Sequence, residues 1–235
     1  MSFEKEDIIK SIEARNAKTS FERTLKAFFW DATVWLAYAL KRAMDISVSL
    51  IALLLRSPLM ISVAIAIKME SEGPVIFKQT RVGKNGRHFI FYKFRSMRKT
   101  AEADKQKILS QNESKDGVIF KMKDDPRITS VGKFIRKYSI DELPQFFNVL
   151  EGSMSLVGPR PPLPDEVKEY TLEDRKRLHI TPGITCIWQI AGRSNIPFKK
   201  QVSLDEEYIK NRGFFRDIVI LLKTIPAVLT GRDAY

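Results

Sequence analysis

The strongest constraint on this chain is an apolar run from Ile46 to Ile67, 22 residues whose only charge is Arg56. A helix of that length matches the hydrocarbon thickness of a bilayer, which needs about 20 apolar residues. Arg56, Ser57 and Pro58 interrupt the run and leave two apolar arms, Ile46 to Leu55 and Leu59 to Ile67. An arginine at the bilayer centre costs about 2.5 kcal/mol or more, and a proline removes one backbone donor while crowding the preceding turn. The sequence therefore predicts a kink at Pro58, with the Ser57 hydroxyl bonding a carbonyl that the proline leaves without its helical partner.

Both flanks are basic: Lys41 and Arg42 precede the run, and Lys68, Lys78, Arg81 and Lys84 follow it. Cationic flanks favour the cytoplasmic side, which one straight span cannot satisfy at both ends. The expectation is a re-entrant helix hairpin that enters and leaves one leaflet, with Arg56 reaching toward headgroups and membrane lipids as partners. A kinked helix buried in a soluble protein is the alternative on composition alone. Upstream, Phe21, Leu25, Phe28, Phe29, Leu36 and Leu40 recur at helical spacing with Trp30, Trp35 and Tyr38 among them, a pattern suited to the membrane interface. Phe214 to Leu222 has a similar pattern before Pro226, and either segment would equally suit a helix packed on a core.

The chain has 235 residues, 44% of them hydrophobic, enough for a core of one or at most two domains. Its formal charge of +12 implies an anionic partner: nucleic acid, phosphate-bearing metabolites or an acidic membrane. One cysteine, Cys186, excludes an intrachain disulfide, and with two histidines it argues against structural zinc. The polar, mixed-charge first twenty residues carry no secretory signal pattern.

After Pro74 the pattern turns to strand type: Val75 to Phe77, a polar turn through Gly83, Lys84, Asn85 and Gly86, then His88 to Phe94. Asn-Gly between such runs predicts a β-hairpin. Phe89, Phe91, Lys93 and Arg95 alternate onto one face, where Lys93 and Arg95 suit phosphates, although a solvated strand end explains them as well. A polar helix is expected over Thr100 to Lys115, a turn at Asp124 to Arg127, and a short helix through Phe134 to Lys137.

Ser139-Ile140-Asp141-Glu142-Leu143-Pro144 reads as a helix start, with Ser139 and Glu142 at capping-box spacing and a proline where backbone donors lack partners. Acids at a helix N-terminus are favourable against its dipole and often do nothing more. Their company raises the chemical reading: Arg136 and Lys137 lie just upstream, and Gly158-Pro159-Arg160-Pro161-Pro162 supplies a rigid loop with another arginine. Adjacent carboxylates among arginines suit a pyrophosphate with a divalent cation; one acid can attack phosphorus while the other takes a proton or places the metal.

These segments, taken in order with Lys41-Arg42 and Asp45, the Ser57-Pro58 break, Gly73 to Gln79, Tyr92 to Met97, Asp125 to Thr129, Asp141 to Gln145, Ser155 to Pro161, Thr181 to Thr185, Trp188-Gln189 and Gly192-Arg193, resemble the bacterial sugar transferase family, the monotopic polyprenyl-phosphate phosphoglycosyl transferases. The resemblance implies transfer of a sugar 1-phosphate from a UDP-sugar to a polyprenyl phosphate with release of UMP, by a ping-pong route through a phosphosugar-aspartate. It places Asp141 as nucleophile and Mg²⁺ ligand and Glu142 as its acidic neighbour. Lys93, Arg95, Arg136, Pro159, Arg160, Gln189 and Arg193 fall at substrate- or phosphate-binding positions, and Ser57 and Pro58 at the membrane kink. Cys186 stands where many members have glycine, which weakens what carries over to Trp188, Gln189 and Arg193. The Trp188-Gln189 and Gly192-Arg193 pattern is more like members using glucose or galactose phosphates than acetamido sugars.

The expected fold is α+β and mostly helical: an amphipathic extension at 1–40, a re-entrant membrane helix at 41–72, and at 73–235 a catalytic domain on the cytoplasmic face of the cell membrane with interfacial helices and a small β-hairpin. The resemblance makes the first membrane step of surface-glycan synthesis the expected role. A homodimer is allowed, and nucleic acid is not an expected partner. The rival readings are a non-catalytic basic scaffold at the membrane surface and a nucleic-acid-binding protein, the latter opposed by the apolar run.

Overall fold

The computed structural model describes residues 3–101, 103, 104, 112, 122, 124–192 and 195–230, with side-chain environments from residue 23 onward. The chain separates into two compact units, Met1–Ala43 and Met44–Tyr235. The helix expected over Thr100 to Lys115 falls almost wholly outside the described residues, as does Arg193.

The first helix, α1 (Phe3–Glu70), runs through Pro58 without a break in its helical assignment. Ser57 Oγ donates to Leu54 O at 2.8 Å, and Leu54 O is the carbonyl four residues before Pro58 that a proline cannot serve. The side-chain hydroxyl replaces the missing backbone donor, which lets the helix persist through the proline. Within α1, Arg23–Glu70 is long and apolar enough to cross a membrane, and only 11% of its most apolar stretch is buried in the protein. In the first unit Phe28, Phe29, Trp30, Trp35 and Tyr38 are all exposed.

In the second unit α1 is followed by β1 (Ile76–Val82) and β2 (His88–Phe94), paired antiparallel with Ile76 opposite Phe94 and Val82 opposite His88. The hairpin predicted from Asn85-Gly86 forms, with φ of 56° at Asn85 and 77° at Gly86, the left-handed region that favours these residue types. Its first strand is longer than the apolar pattern suggested, because Lys78 to Arg81 continue the ladder. Then come α2 (Ser130–Lys137), a 3₁₀ turn at Ile140–Glu142 and α3 (Gln145–Glu151). After these lie β3 (Ser155–Val157), α4 (Pro164–Lys168), a 3₁₀ segment at Asp174–His179 and β4 (Gly183–Thr185). The described chain closes with α5 (Ile187–Ala191), α6 (Phe198–Lys210) and α7 (Phe214–Thr230). β3 and β4 pair in parallel, a second two-stranded sheet that the sequence did not announce.

One apolar core gathers Phe91, Val149, Met154, Leu156, Tyr208 and Ile220, drawing on β2, α3, β3, α6 and α7. Another gathers Val63, Ile67, Phe94 and Ile135, packing the C-terminal arm of α1 onto β2 and α2. Burying each such side chain stabilises the fold by about 1.5–3 kcal/mol. The N-terminal arm is held by a polar contact, in which Leu156 N donates to Asp45 Oδ1 at 3.1 Å. Asp45 and Ser49 near one end of the apolar run, and Val63 and Ile67 near the other, are all buried in the same unit.

Candidate active site

The hairpin and α3 set the site's geometry through one amide side chain. Asn148, fully buried in α3, donates from Nδ2 to Ile90 O at 2.7 Å and accepts from Tyr92 N at 3.1 Å. It occupies the open edge of β2 as another strand would. That contact fixes the start of α3 over β2, so that Asp141 and Glu142 meet Lys93, the residue after Tyr92. Lys93 Nζ lies 2.7 Å from Glu142 Oε1 and 3.4 Å from Asp141 Oδ2. One ammonium thus bridges both acids, while its stem crosses the Phe91 ring with Nζ 5.6 Å from the centroid.

The capping box expected at Ser139 does not form. Ser139 sits at φ 54°, ψ 24° and its side chain makes no cap hydrogen bond. The residue turns the chain instead. α2 ends at Lys137, Ser139 N donates back to Arg136 O at 3.0 Å, and the left-handed conformation redirects the backbone into the Ile140–Glu142 turn. Pro144 does stand at the helix start, at the N-cap of α3.

Asp141 is 5% exposed. Burial pushes its carboxyl pKa up, Glu142 adds to the rise, and Lys93 and Arg136 oppose it without cancelling it. Burial acts on Glu142 in the same sense, but Lys93, by charge and hydrogen bond, and Arg160 outweigh it, so the Glu142 carboxyl is held below its usual range. Two neighbouring acids are therefore pushed in opposite directions, the pattern expected when a pair divides its chemical roles. Asp141 becomes the better proton acceptor and, when ionised, the stronger nucleophile; Glu142 stays an anion.

The pair opens into a cavity of about 1380 Å³, whose polar wall includes Lys93, Arg136, Arg160 and Gln189. Arg160 is presented by the Gly158 to Pro162 loop, which is clamped on both sides. Val82 N donates to Pro162 O at 3.0 Å and Arg81 Nη1 to Pro161 O at 3.0 Å, while Gly183 N donates to Pro159 O at 2.9 Å. A Cβ on Gly183 would lie 2.1 Å from Gly158 N, so these two backbones meet only because both residues are glycine. Pro159 thus shapes the loop, and only Arg160 borders the cavity directly.

Arg95 has a different setting from Lys93. It is 7% exposed, and its guanidinium donates to Glu72 O at 2.7 Å and to Ser71 O at 2.7 Å, the carbonyls just past the end of α1. A cation there complements the helix dipole and ties α1 to the strand that carries Lys93. Sequence reasoning misses two site-building residues: Asn148, to which it assigns no role, and Arg81, which it reads only as a basic flank of the apolar run. Arg81 is buried, its pKa lowered first by that burial and then by Arg160 beside it, and the residue stays cationic at neutral pH. Among the described residues no three acidic, histidine or cysteine side chains converge on one point.

A family description, bacterial sugar transferase, matches residues 36–231. The chain belongs to that family. It is 51% identical over 195 residues to the galactosyl transferase CpsE of Streptococcus agalactiae serotype III, covering 83% of this chain and 43% of that protein. It is 44% identical over 203 residues to the undecaprenyl-phosphate galactose phosphotransferase of Salmonella typhimurium, covering 83% and 42%. A UDP-N-acetylgalactosamine-undecaprenyl-phosphate N-acetylgalactosaminephosphotransferase of Aeromonas hydrophila is 43% identical over 201 residues, covering 83% and 45%. The chain spans less than half the length of each of these three relatives. All site residues discussed above lie within the matched region.

Proposed function

We propose that this bacterial sugar transferase moves a sugar 1-phosphate from a UDP-sugar to undecaprenyl phosphate, or a related polyprenyl phosphate, and releases UMP, as the first membrane step of surface-glycan synthesis. The observation that carries this reading is the acid pair, buried Asp141 with part-buried Glu142, bridged by one ammonium and faced by arginines. An Asp141 carboxylate oxygen attacks the phosphorus that bears the sugar. The bond from that phosphorus to the bridging oxygen breaks, and UMP leaves with the electron pair. A phosphate oxygen of the lipid then attacks the same phosphorus, the Asp141–phosphorus ester breaks, and the carboxylate is restored. Glu142, remaining an anion, helps to place the cation beside this exchange, and Arg136 and Arg160 hold phosphate oxygens, matching charge in a partly dry cavity.

The donor set suits Mg²⁺ shared with substrate. Magnesium is commonly held by one or two carboxylates plus substrate phosphates, and Asp141 with Glu142 provides those two. When bound, the ion would neutralise phosphate charge. For the sugar, galactose and N-acetylgalactosamine appear in the names of relatives of nearly equal identity, 44% and 43%. The Trp188-Gln189 pattern tips the reading toward a hexose phosphate such as galactose or glucose.

Several observations support a re-entrant, monotopic attachment at the cytoplasmic face of the cell membrane. Asp45 and Ile67 bracket the apolar run, about 33 Å of helix, and both are buried in one unit. A helix crossing the bilayer would put those ends on opposite sides. Between them Leu50, Ile51, Leu54, Leu55 and Ile61 are exposed, as a lipid-facing surface requires.

The test is UMP release from a panel of UDP-sugars with Mg²⁺ and undecaprenyl phosphate, with mass detection of a phosphosugar adduct on Asp141. Asp141→Asn should form neither adduct nor product. Full turnover by that variant would remove the covalent mechanism, and no UMP from any UDP-sugar with the wild type would leave the non-catalytic scaffold.

A further inference from the structure

One face of α1 does two things. Asp45 and Ser49, and further on Val63 and Ile67, are buried within the second unit. Beside them, at successive spacings of four, four, four and three, Met44, Val48, Ala52, Arg56 and Leu59 line the cavity. The same cavity is also lined by a second helical stripe, Phe214, Ile218, Leu221, Ile225 and Leu229 of α7. The cavity that holds the acid pair is therefore lined as well by apolar stripes of α1 and α7, an apolar groove beside the acids. Arg56 is the one charged side chain on those two stripes. It is exposed, no hydrogen bond or ion pair to it is seen among the described residues, and it sits in the most apolar part of the chain. Leu59, about one turn further on, packs in the same apolar cluster as Ile140 and Leu143, the residues flanking Asp141 and Glu142.

A cation held in an apolar groove needs an anion that arrives with apolar surface of its own. A nucleotide sugar lacks that surface, and a two-chain phospholipid lying outside the groove has no reason to reach the acids. A phosphate monoester on a single long hydrocarbon chain has both properties. We infer that the groove lined by α1 and α7 seats the isoprenoid chain of the acceptor lipid and that Arg56 binds the acceptor's phosphate on its way to Asp141. This assignment rests on the catalytic reading above and adds to it a residue and a path. It also accounts for an arginine in mid-segment: Arg56 borders the cavity, and its charge is matched when the lipid is bound.

The two half-reactions separate the outcomes. With the full chain in neutral phosphatidylcholine nanodiscs, Arg56→Met should give the wild-type burst of UMP and the wild-type Asp141 adduct in the absence of acceptor. Its KM for undecaprenyl phosphate should rise about ten- to a hundred-fold, the scale of one lost charged hydrogen bond. Arg56→Lys should recover part of the loss. Ala52→Trp, which fills the groove and keeps the charge, should penalise undecaprenyl phosphate more than a short-chain polyprenyl phosphate. Wild-type KM in Arg56→Met overturns the inference. So does a lost UMP burst, which would place Arg56 at the nucleotide. A third overturning result is weakened sedimentation with phosphatidylglycerol vesicles that disappears as an effect in neutral nanodiscs, which would make Arg56 a general headgroup anchor. Absence of any UMP burst from the wild type is a different result: it removes the catalytic reading first, and the inference with it.

Discussion

Lys93→Met removes the single cation that bridges the acid pair. The ammonium lies 2.7 Å from Glu142 and 3.4 Å from Asp141, and at an effective dielectric of about 20 each contact is worth about 5 kcal/mol of direct attraction. The lysine side chain is 25% exposed, so water would answer part of that loss, leaving about 1.5–3 kcal/mol, the scale of a charged hydrogen bond. The direction follows from the groups themselves. Burial already raises the Asp141 carboxyl and Lys93 opposes that rise; without Lys93 the pKa goes higher, and at a given pH less of the attacking carboxylate is ionised. The acid limb of the pH–rate profile for UMP release should therefore move to higher pH, with Lys93→Arg keeping the limb near its wild-type position.

Stability supplies an independent check on the same charge. A carboxyl whose folded pKa lies above its unfolded value contributes stability that is present at low pH and lost as pH rises through the folded pKa. Glu142, held down by Lys93 in the wild type, contributes in the other direction and would lose that contribution. The deficit of Lys93→Met in urea unfolding should thus be about 2–3 kcal/mol near pH 8 and shrink toward pH 4. An acid limb that stays where the wild type's lies, together with a deficit independent of pH, would refute the bridge as the control on this pair.

Arg177 and Asp205 form a hydrogen-bonded ion pair in which the side chains are only 3% and 1% exposed. Asp205→Ala, by stranding the guanidinium, should cost about 3–5 kcal/mol in urea unfolding, and a neutral effect would mean that water reaches Arg177. Gly183→Ala places a Cβ 2.1 Å from Gly158 N; the crossing of two backbones leaves no flexible side chain to give way, so a loss of about 3 kcal/mol or more is expected, with UMP release falling as Arg160 shifts. Cysteines introduced by Ala43→Cys and Lys68→Cys, both at exposed positions, should react with an impermeant maleimide from the same face of sealed vesicles, while the buried Cys186 stays unreactive. Labelling from opposite faces would exclude re-entry.

What the sequence made legible was chemistry with local signatures. Asn85-Gly86 marked the hairpin because two consecutive positive φ values demand such residues, and Ser57-Pro58 marked a helix that must replace one donor by a hydroxyl. The acid pair stood out by its neighbours. Features built from distant parts of the chain were not legible. Asn148 serves the edge of β2 across 56 and 58 residues, and Asp45 reaches Leu156 across 111. β3 and β4 are three residues each, too short for any periodicity to show. Ser139 carried a capping signal that was locally correct, but the need to turn the chain out of α2 claimed the residue instead. Arg95 shared a face with Lys93 in the alternation of β2, yet the end of α1 lies within its reach and takes its guanidinium.

The acid pair and its counter-charge illustrate why the site needs this much of the chain. In the mechanism proposed above, a phosphorylated Asp141 would be prone to attack by water, so such a nucleophile would gain from burial; burial, however, raises its proton affinity and threatens to leave it neutral at working pH. Lys93 resolves the conflict only if it is held at ion-pair distance from both acids. That distance depends on the docking of α3 against β2 through Asn148 and on the attachment of β2 to the end of α1 through Arg95. A strand fastened to the apolar helix carries the lysine, and a helix fastened to the strand carries the acids. The depth of the acids relative to the apolar surface is thereby set by hydrogen bonds and not by a flexible linker, as the proposed reaction between a soluble nucleotide and a lipid-borne phosphate would require.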